Sequence, residues 1–93
     1  MIRPMEEATY RERLAADGYG EVLERTIEPN VSNELHEHPY DAQLLIVSGE
    51  LVLGTPSGEQ TFRVGEVCVV PRDTRHCERY GAAGARLVIG RRY

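Results

Sequence analysis

All three histidines of the chain lie in two short segments, the tripeptide His36-Glu37-His38 and the single residue His76. Imidazole nitrogens bind divalent transition metals, with bonds of about 2.1 Å for zinc. In a β-strand, residues two apart face the same side about 6.6 Å apart, so His36 and His38 can bind one ion while Glu37 points away. With His76 on a neighbouring strand, the set leaves two or three coordination positions for water, substrate or dioxygen.

The same histidines have a simpler interpretation as surface residues. His36 and His38 could be exposed on an edge strand, and His76 could lie in a turn. An H-x-H tripeptide alone is a weak signal, so the metal hypothesis depends on the elements around it.

Turn signals divide the chain after residue 20 into segments of four to eight residues, which predicts short strands. The turns are expected at 28–30, 48–50, 55–58, 64–66 and 81–84, and the apolar segments between them are 43–47, 51–53, 66–70 and 85–89. Pro56-Ser57-Gly58 predicts a hairpin and therefore antiparallel pairing. Good helix formers between Pro4 and Gly18 predict one short N-terminal helix over about 5–17, followed by a barrel over about 20–93.

The composition indicates one globular domain over 1–93, with 41% apolar residues. A net charge of −4 with dispersed arginines argues against nucleic-acid binding. No apolar run suits a membrane span and the first residues do not follow a signal-peptide pattern, so a cytoplasmic protein is expected. The two cysteines, Cys68 and Cys77, are expected to be reduced and packed rather than bridged.

Residues 65–76 resemble the second conserved motif of the cupin superfamily, G-x5-P-x-G-x2-H-x3-N. Gly65, Pro71 and His76 stand at the motif spacing. Asp73 in the second glycine slot and Tyr80 in the final asparagine slot depart from it.

The first cupin motif, G-x5-H-x-H-x(3 or 4)-E-x6-G, is matched at His36, His38 and Gly49. Its glutamate, a fourth metal ligand in most cupin enzymes, is missing. Counting back from Gly49 by the motif spacing places the glutamate position at Ala42. Counting forward from His38 with four intervening residues places it at Gln43. Gln43 could offer a neutral carbonyl oxygen, or strand alternation could turn it outward.

Asp41 and Glu78 are the nearest acidic residues that could replace the missing charge, by direct ligation or by a hydrogen bond to a ligating histidine. Both could equally be solvated surface carboxylates. Without either, the ion would keep its full 2+ charge, which favours anionic ligands and weakens metal retention.

The resemblance implies a small antiparallel jelly-roll β-barrel that binds iron, manganese, nickel or zinc on His36, His38 and His76, and that assembles as a homodimer. Two functions are consistent with it. The first is a metal-dependent, dioxygenase-like enzyme acting on a small anionic organic molecule, for which Arg91 and Arg92 could supply guanidinium contacts. The second is a non-catalytic cupin that senses a metal or binds a small molecule. A plain interaction module is a third possibility.

Overall fold

One helix and five strands form the fold in the computed structural model, which describes residues 5–93. The elements are α1 (Glu7–Ala16), β1 (Glu21–Ile27), β2 (Asp41–Thr55), β3 (Gly58–Arg63), β4 (Val67–Val70) and β5 (Cys77–Arg92). The predicted all-β jelly-roll with one N-terminal helix is confirmed. No helix within residues 5–93 combines the length and the apolar character that crossing a bilayer requires.

Helix α1 ends where the sequence predicts, because Gly18 takes a left-handed conformation with a φ of 82°. The backbone N–H of Tyr19 donates to the carbonyl of Leu14 at 2.9 Å, and that of Gly18 donates to Ala15 at 3.2 Å. This pair of bonds is a Schellman motif, which satisfies the carbonyls that a helix end leaves unpaired.

All strand pairs are antiparallel, and β2 and β5 form the centre of the sheet. The order is β1-β5-β2-β3, with β4 paired to the first part of β2. The hairpin predicted at 56–58 joins β2 to β3, with Leu51 opposite Phe62. Every strand is therefore paired to β2 or β5, and these two strands also carry or adjoin the candidate site.

Two predicted turns, at 48–50 and 81–84, are wrong as chain reversals. Both lie inside the long strands β2 and β5, where the pairing register shifts between Ile46 and Ser48 and again between Gly49 and Leu51. The glycines there mark bulges and bends rather than loops. Two long bent strands therefore replace the shorter strands expected from the sequence.

The bend depends on the close approach of Gly49 and Gly84. Gly49 has a φ of 79°, and a Cβ added to it would lie 2.0 Å from the carbonyl oxygen of Gly84. Gly84 has a φ of 66°, and its own Cβ would lie 2.3 Å from the carbonyl oxygen of Ile27. Only glycine fits both the conformation and the space.

Strand alternation divides the buried side chains into two clusters. The barrel core comprises Leu44, Ile46, Leu51, Cys68, Val70, Tyr80, Ala85 and Leu87. The helix core, between α1 and the outer face of the sheet, comprises Tyr10, Leu14, Tyr19, Leu45 and Val88. Adjacent residues of β2 thus contribute to different clusters.

Both cysteines are free, as expected. Cys68 is fully buried in the barrel core, and burial raises the pKa of its thiol to about 12. A thiol that does not ionise at neutral pH is a poor nucleophile. Cys77 lies beside Gly54 on the neighbouring strand, and alternation directs it away from His76.

Candidate metal centre

The three histidines converge on one point at the mouth of the barrel. His36 and His76 form an isolated antiparallel bridge, in which the N–H of each donates to the carbonyl of the other at 2.8 and 2.9 Å. Directly opposite residues of an antiparallel pair project from the same face. Alternation adds His38 to that face, and the potential ligand atoms of all three lie within 4.8 Å of one another.

His36 and His38 lie outside the regular strands. The segment between β1 and β2 is extended but irregular, and His36 pairs there only through its isolated bridge to His76. The His38 carbonyl accepts a hydrogen bond from the backbone N–H of Asp73 at 2.8 Å. This bond ties the first histidine segment to the second.

Two of the rings are oriented by backbone carbonyls. Nδ1 of His36 lies 2.7 Å from the oxygen of Glu34, and Nδ1 of His76 lies 2.8 Å from the oxygen of Thr74. A carbonyl only accepts hydrogen bonds, so each Nδ1 carries a proton and each Nε2 is the nitrogen with a lone pair in the neutral ring. That is the tautomer in which metal-binding histidines are usually held.

His38 is held by stacking instead. Its ring lies parallel to that of Tyr40, with centroids 4.8 Å apart. Burial, followed by the proximity of His36 and His76, lowers the pKa of His38. The neutral imidazole favoured in this way is the form that binds a metal.

Glu78 is the acidic residue that the structure brings to the histidines. Its Oε1 lies 2.9 Å from Nε2 of His76 and 3.7 Å from Nε2 of His36. Its other oxygen, Oε2, accepts a hydrogen bond from Nδ2 of Asn33 at 2.6 Å. The Asn33 side-chain oxygen in turn accepts from the Glu78 backbone N–H at 2.7 Å.

The structure does not bring Gln43 to the histidines. Its Oε1 accepts a hydrogen bond from the Tyr10 hydroxyl of α1 at 3.1 Å, on the helix side of β2. Ala42, one residue earlier, lines the cavity that contains the histidines. The ligand role predicted for Gln43 therefore has no support in this geometry, because alternation turns its side chain to the opposite face.

Asp41 also lies apart from the histidines. It accepts hydrogen bonds from the Arg72 backbone N–H at 3.0 Å and from Arg92 Nη2 at 3.1 Å. Both bonds lower the pKa of Asp41, and the bond from the Arg72 backbone contributes more than the bond from Arg92. Asp41 thus links the start of β2 to the end of β5.

The histidines open onto a cavity of about 260 Å³ in the barrel. Its apolar wall comes from barrel-core and neighbouring side chains, including Leu44, Val70, Leu87 and Ile89. Arg25 and Arg91 also line it. Of the two C-terminal arginines, Arg91 reaches the cavity, whereas Arg92 packs over the Tyr19 ring and donates to the carbonyl of Asp17 at 2.8 Å.

Both departures from the second motif have structural explanations. Asp73 has a φ of 60°, a left-handed conformation that suits glycine and that aspartate adopts more readily than most residues. Tyr80 is buried beside the cavity, and burial raises the pKa of its phenol, which therefore stays protonated. His76 still lies in one cluster with His36 and His38.

Asn33 and Arg25 were not predicted as site residues from the sequence. No sequence signal marks Asn33, because it acts through pairing with Glu78, 45 residues further along the chain. Arg25 could have been found by alternation, since it lies two residues before Ile27 and both line the cavity. Glu78 was among the predicted candidates. Because it lies two residues after His76, strand alternation places both side chains on the same face.

Solved structures that superpose on the chain include proteins described as cupins. A cupin-2 domain protein from Shewanella frigidimarina superposes with a TM-score of 0.64 at 20% identity, over 73% of this chain and 65% of that one. The chain adopts the cupin fold. Drosophila melanogaster CENP-C, in a structure bound to CAL1, gives a TM-score of 0.66 at 18% identity, over 75% of this chain and 60% of that chain.

Protein NMB1881 from Neisseria meningitidis is similar over its whole length, with a TM-score of 0.66 and 25% identity, covering 95% of this chain. The chain thus spans less than two thirds of the Shewanella and Drosophila cupins but all of the Neisseria protein. No family model and no curated protein sequence matches the chain.

Proposed function

We propose that this cupin binds one divalent transition metal ion through His36, His38 and His76, and that it is a metal-dependent, oxygenase-like enzyme acting on a small anionic organic molecule. The observation that carries the proposal is the convergence of three imidazoles, with their ligand atoms within 4.8 Å, at the edge of a cavity. Iron, manganese, nickel and zinc all accept imidazole ligands.

The residues present fit a metal ion. The backbone carbonyls that accept from Nδ1 of His36 and His76 leave Nε2 of both rings available. The ion would supply Lewis acidity and, if it is redox-active, a place for dioxygen to react. The protein would hold the ion at the cavity edge, limit access of water through the apolar wall and orient the substrate.

The cavity favours a small substrate. Its volume of about 260 Å³ lies below the range of roughly 300 to 1,000 Å³ typical of sites for drug-sized ligands. The guanidinium groups of Arg25 and Arg91 at the lining favour a carboxylate or a similar anion. Arg91 also donates to Glu21 at 3.1 Å, which fixes its position while leaving further N–H groups to donate.

The test is the metal content of protein purified without added metal, measured by elemental analysis. We expect about one equivalent of a first-row metal in the wild type. His36→Ala and His76→Ala should bind the metal more than about 100-fold more weakly, a larger effect than that of changing an outer-shell group. Glu37→Gln, an exposed substitution in the same segment, is the control and should retain the metal. Uptake below about a tenth of an equivalent by the wild type, where neutral histidines should bind, would refute the proposal.

Oxygen consumption separates the enzyme from the non-catalytic alternative, a metal-sensing or ligand-binding cupin, which the missing motif glutamate favours. A carboxylate that raises the thermal stability of the metal-loaded protein and also triggers oxygen uptake supports the enzyme. Stabilisation without oxygen uptake supports the binding protein. Homodimerisation and a cytoplasmic location stay predictions, to be checked by sedimentation and by fractionation.

A further inference from the structure

The carboxylate of Glu78 enters the histidine cluster from β5, whereas the cupin motif would place a carboxylate on β2. Ala42, the motif position on β2, presents only a methyl group to the cavity. The Glu78 side chain is 15% exposed, and one oxygen faces Nε2 of both His76 and His36. A carboxylate therefore faces two of the histidines from a strand other than the one that the motif predicts.

The contact between Glu78 and His76 requires a proton or a metal ion between the two facing atoms. The Nδ1 proton of His76 is committed to the carbonyl of Thr74, so Nε2 of the neutral ring has only a lone pair to offer. The ionised carboxylate also offers only lone pairs. Two such acceptors at 2.9 Å repel each other unless a proton or a metal ion lies between them.

The separation also matches two neighbouring ligands of one ion. Ligands at right angles with bonds of roughly 2.1 Å lie about 3 Å apart. The 2.9 Å separation from His76 agrees with this value, and the 3.7 Å separation from His36 lies within the reach of a small side-chain adjustment. The same oxygen, Oε1, serves both contacts.

We propose that Glu78 is a fourth ligand of the metal and that Asn33 is its positioning residue. This inference rests on the proposed metal site. Asn33 binds Glu78 twice, through its amide nitrogen to Oε2 and through its oxygen to the backbone N–H. The double contact fixes the carboxylate so that Oε1 is directed at the histidines.

The position of Glu78 changes the charge of the centre. Three neutral histidines leave the ion with a charge of 2+, whereas a carboxylate ligand reduces the charge to 1+ and strengthens retention of the metal. The other two candidates are bonded elsewhere, Gln43 to Tyr10 and Asp41 to Arg72 and Arg92.

The experiment measures Zn²⁺ affinity by chelator competition and the visible absorption spectrum of the Co²⁺ form. We expect Glu78→Gln, which keeps the shape and removes the charge, to weaken Zn²⁺ binding by about 100-fold and to alter the Co²⁺ spectrum. Asn33→Ala should weaken Zn²⁺ binding by about 10-fold, the lower end of outer-shell effects. Glu37→Gln is the matched control and should leave both readouts unchanged.

Addition of Ala42→Glu to the Glu78→Gln variant returns a carboxylate to the cavity from β2, and recovery of Zn²⁺ affinity supports the proposal. Wild-type affinity and an unchanged Co²⁺ spectrum in Glu78→Gln would overturn the role of Glu78 while leaving the three-histidine site intact. Absence of metal binding by the wild type would instead overturn the proposed function. If Glu78→Gln does not fold, the crystal structure of the Zn²⁺-loaded wild type decides, since a ligand oxygen must lie about 2.0 to 2.2 Å from the ion.

Discussion

The two faces of strand β2 carry opposite kinds of environment. The cavity face, at Ala42 and Leu44, borders the histidines, charged side chains and an open volume. The helix face, at Leu45, packs against Tyr10 and Leu14 in a closed apolar cluster. The helix face contributes only to packing, whereas the cavity face combines part of the barrel core with the histidine site, so substitutions on the helix face should lower stability without affecting metal binding.

The largest expected effect comes from damaging both faces together. Gly49→Ala places a methyl group against the Gly84 carbonyl in the bend that both faces share, and we expect it to lower the free energy of unfolding by about 4 kcal/mol, from backbone strain and overpacking. Urea denaturation measures the loss.

Two other glycines provide matched controls. Gly58 shares a positive φ of 138° but has open space around its Cβ direction, and Gly20 has open space without a positive φ. Alanine at Gly58 should cost less than alanine at Gly49, and alanine at Gly20 should cost least. Equal losses at Gly49 and Gly58 would show that the close contact with Gly84 is unimportant.

The next effect is confined to the helix face. Leu14 is 1% exposed, and Leu14→Ala should lower the free energy of unfolding by about 3 kcal/mol through lost burial and a residual cavity. Zn²⁺ stoichiometry at low temperature should stay that of the wild type. A loss of metal without unfolding would break the separation between the faces.

A smaller effect tests the face to which Gln43 belongs. Gln43→Ala removes the acceptor of the buried Tyr10 hydroxyl and should cost about 1 to 2 kcal/mol in urea denaturation, with Zn²⁺ affinity unchanged. Tyr10→Phe, which removes the hydroxyl itself, should partly restore the stability of Gln43→Ala. A fall in Zn²⁺ affinity on loss of Gln43 would place that residue back among the ligands.

The smallest effect lies at the edge of β2, where Asp41 is bonded to Arg72 and Arg92. Because folding lowers the pKa of Asp41, the unfolded chain binds more protons as the pH falls. The contribution of Asp41 to stability is therefore present above the usual aspartate pKa, near 3.9, and disappears as the pH falls through the lower folded value. The Tm of metal-free wild type should exceed that of Asp41→Asn at pH 7, and the difference should vanish in strong acid.

The fold and the three-histidine cluster could be predicted because motif spacing and strand alternation are local properties of the sequence. Strand alternation also predicts that Gln43 faces away from the histidines, but only once Ala42 is known to face the cavity. The bends at Gly49 and Gly84 were mistaken for turns because glycine marks both, and only pairing across the sheet distinguishes them. The role of Asn33 could not be predicted, since it depends on contact with Glu78, which is distant in sequence.

Strand β5 has a consequence for how the protein is made. It pairs with β1 along one edge and with β2 along the other, yet it follows both in the chain. During synthesis, β1 and β2 therefore emerge with their backbone N–H and C=O groups uncovered on the edges that β5 will occupy, and such edges invite association between chains. The interval before residues 77–92 leave the ribosome is the stage at which nascent chains of this protein are most exposed to aggregation and at which a chaperone would have most to protect.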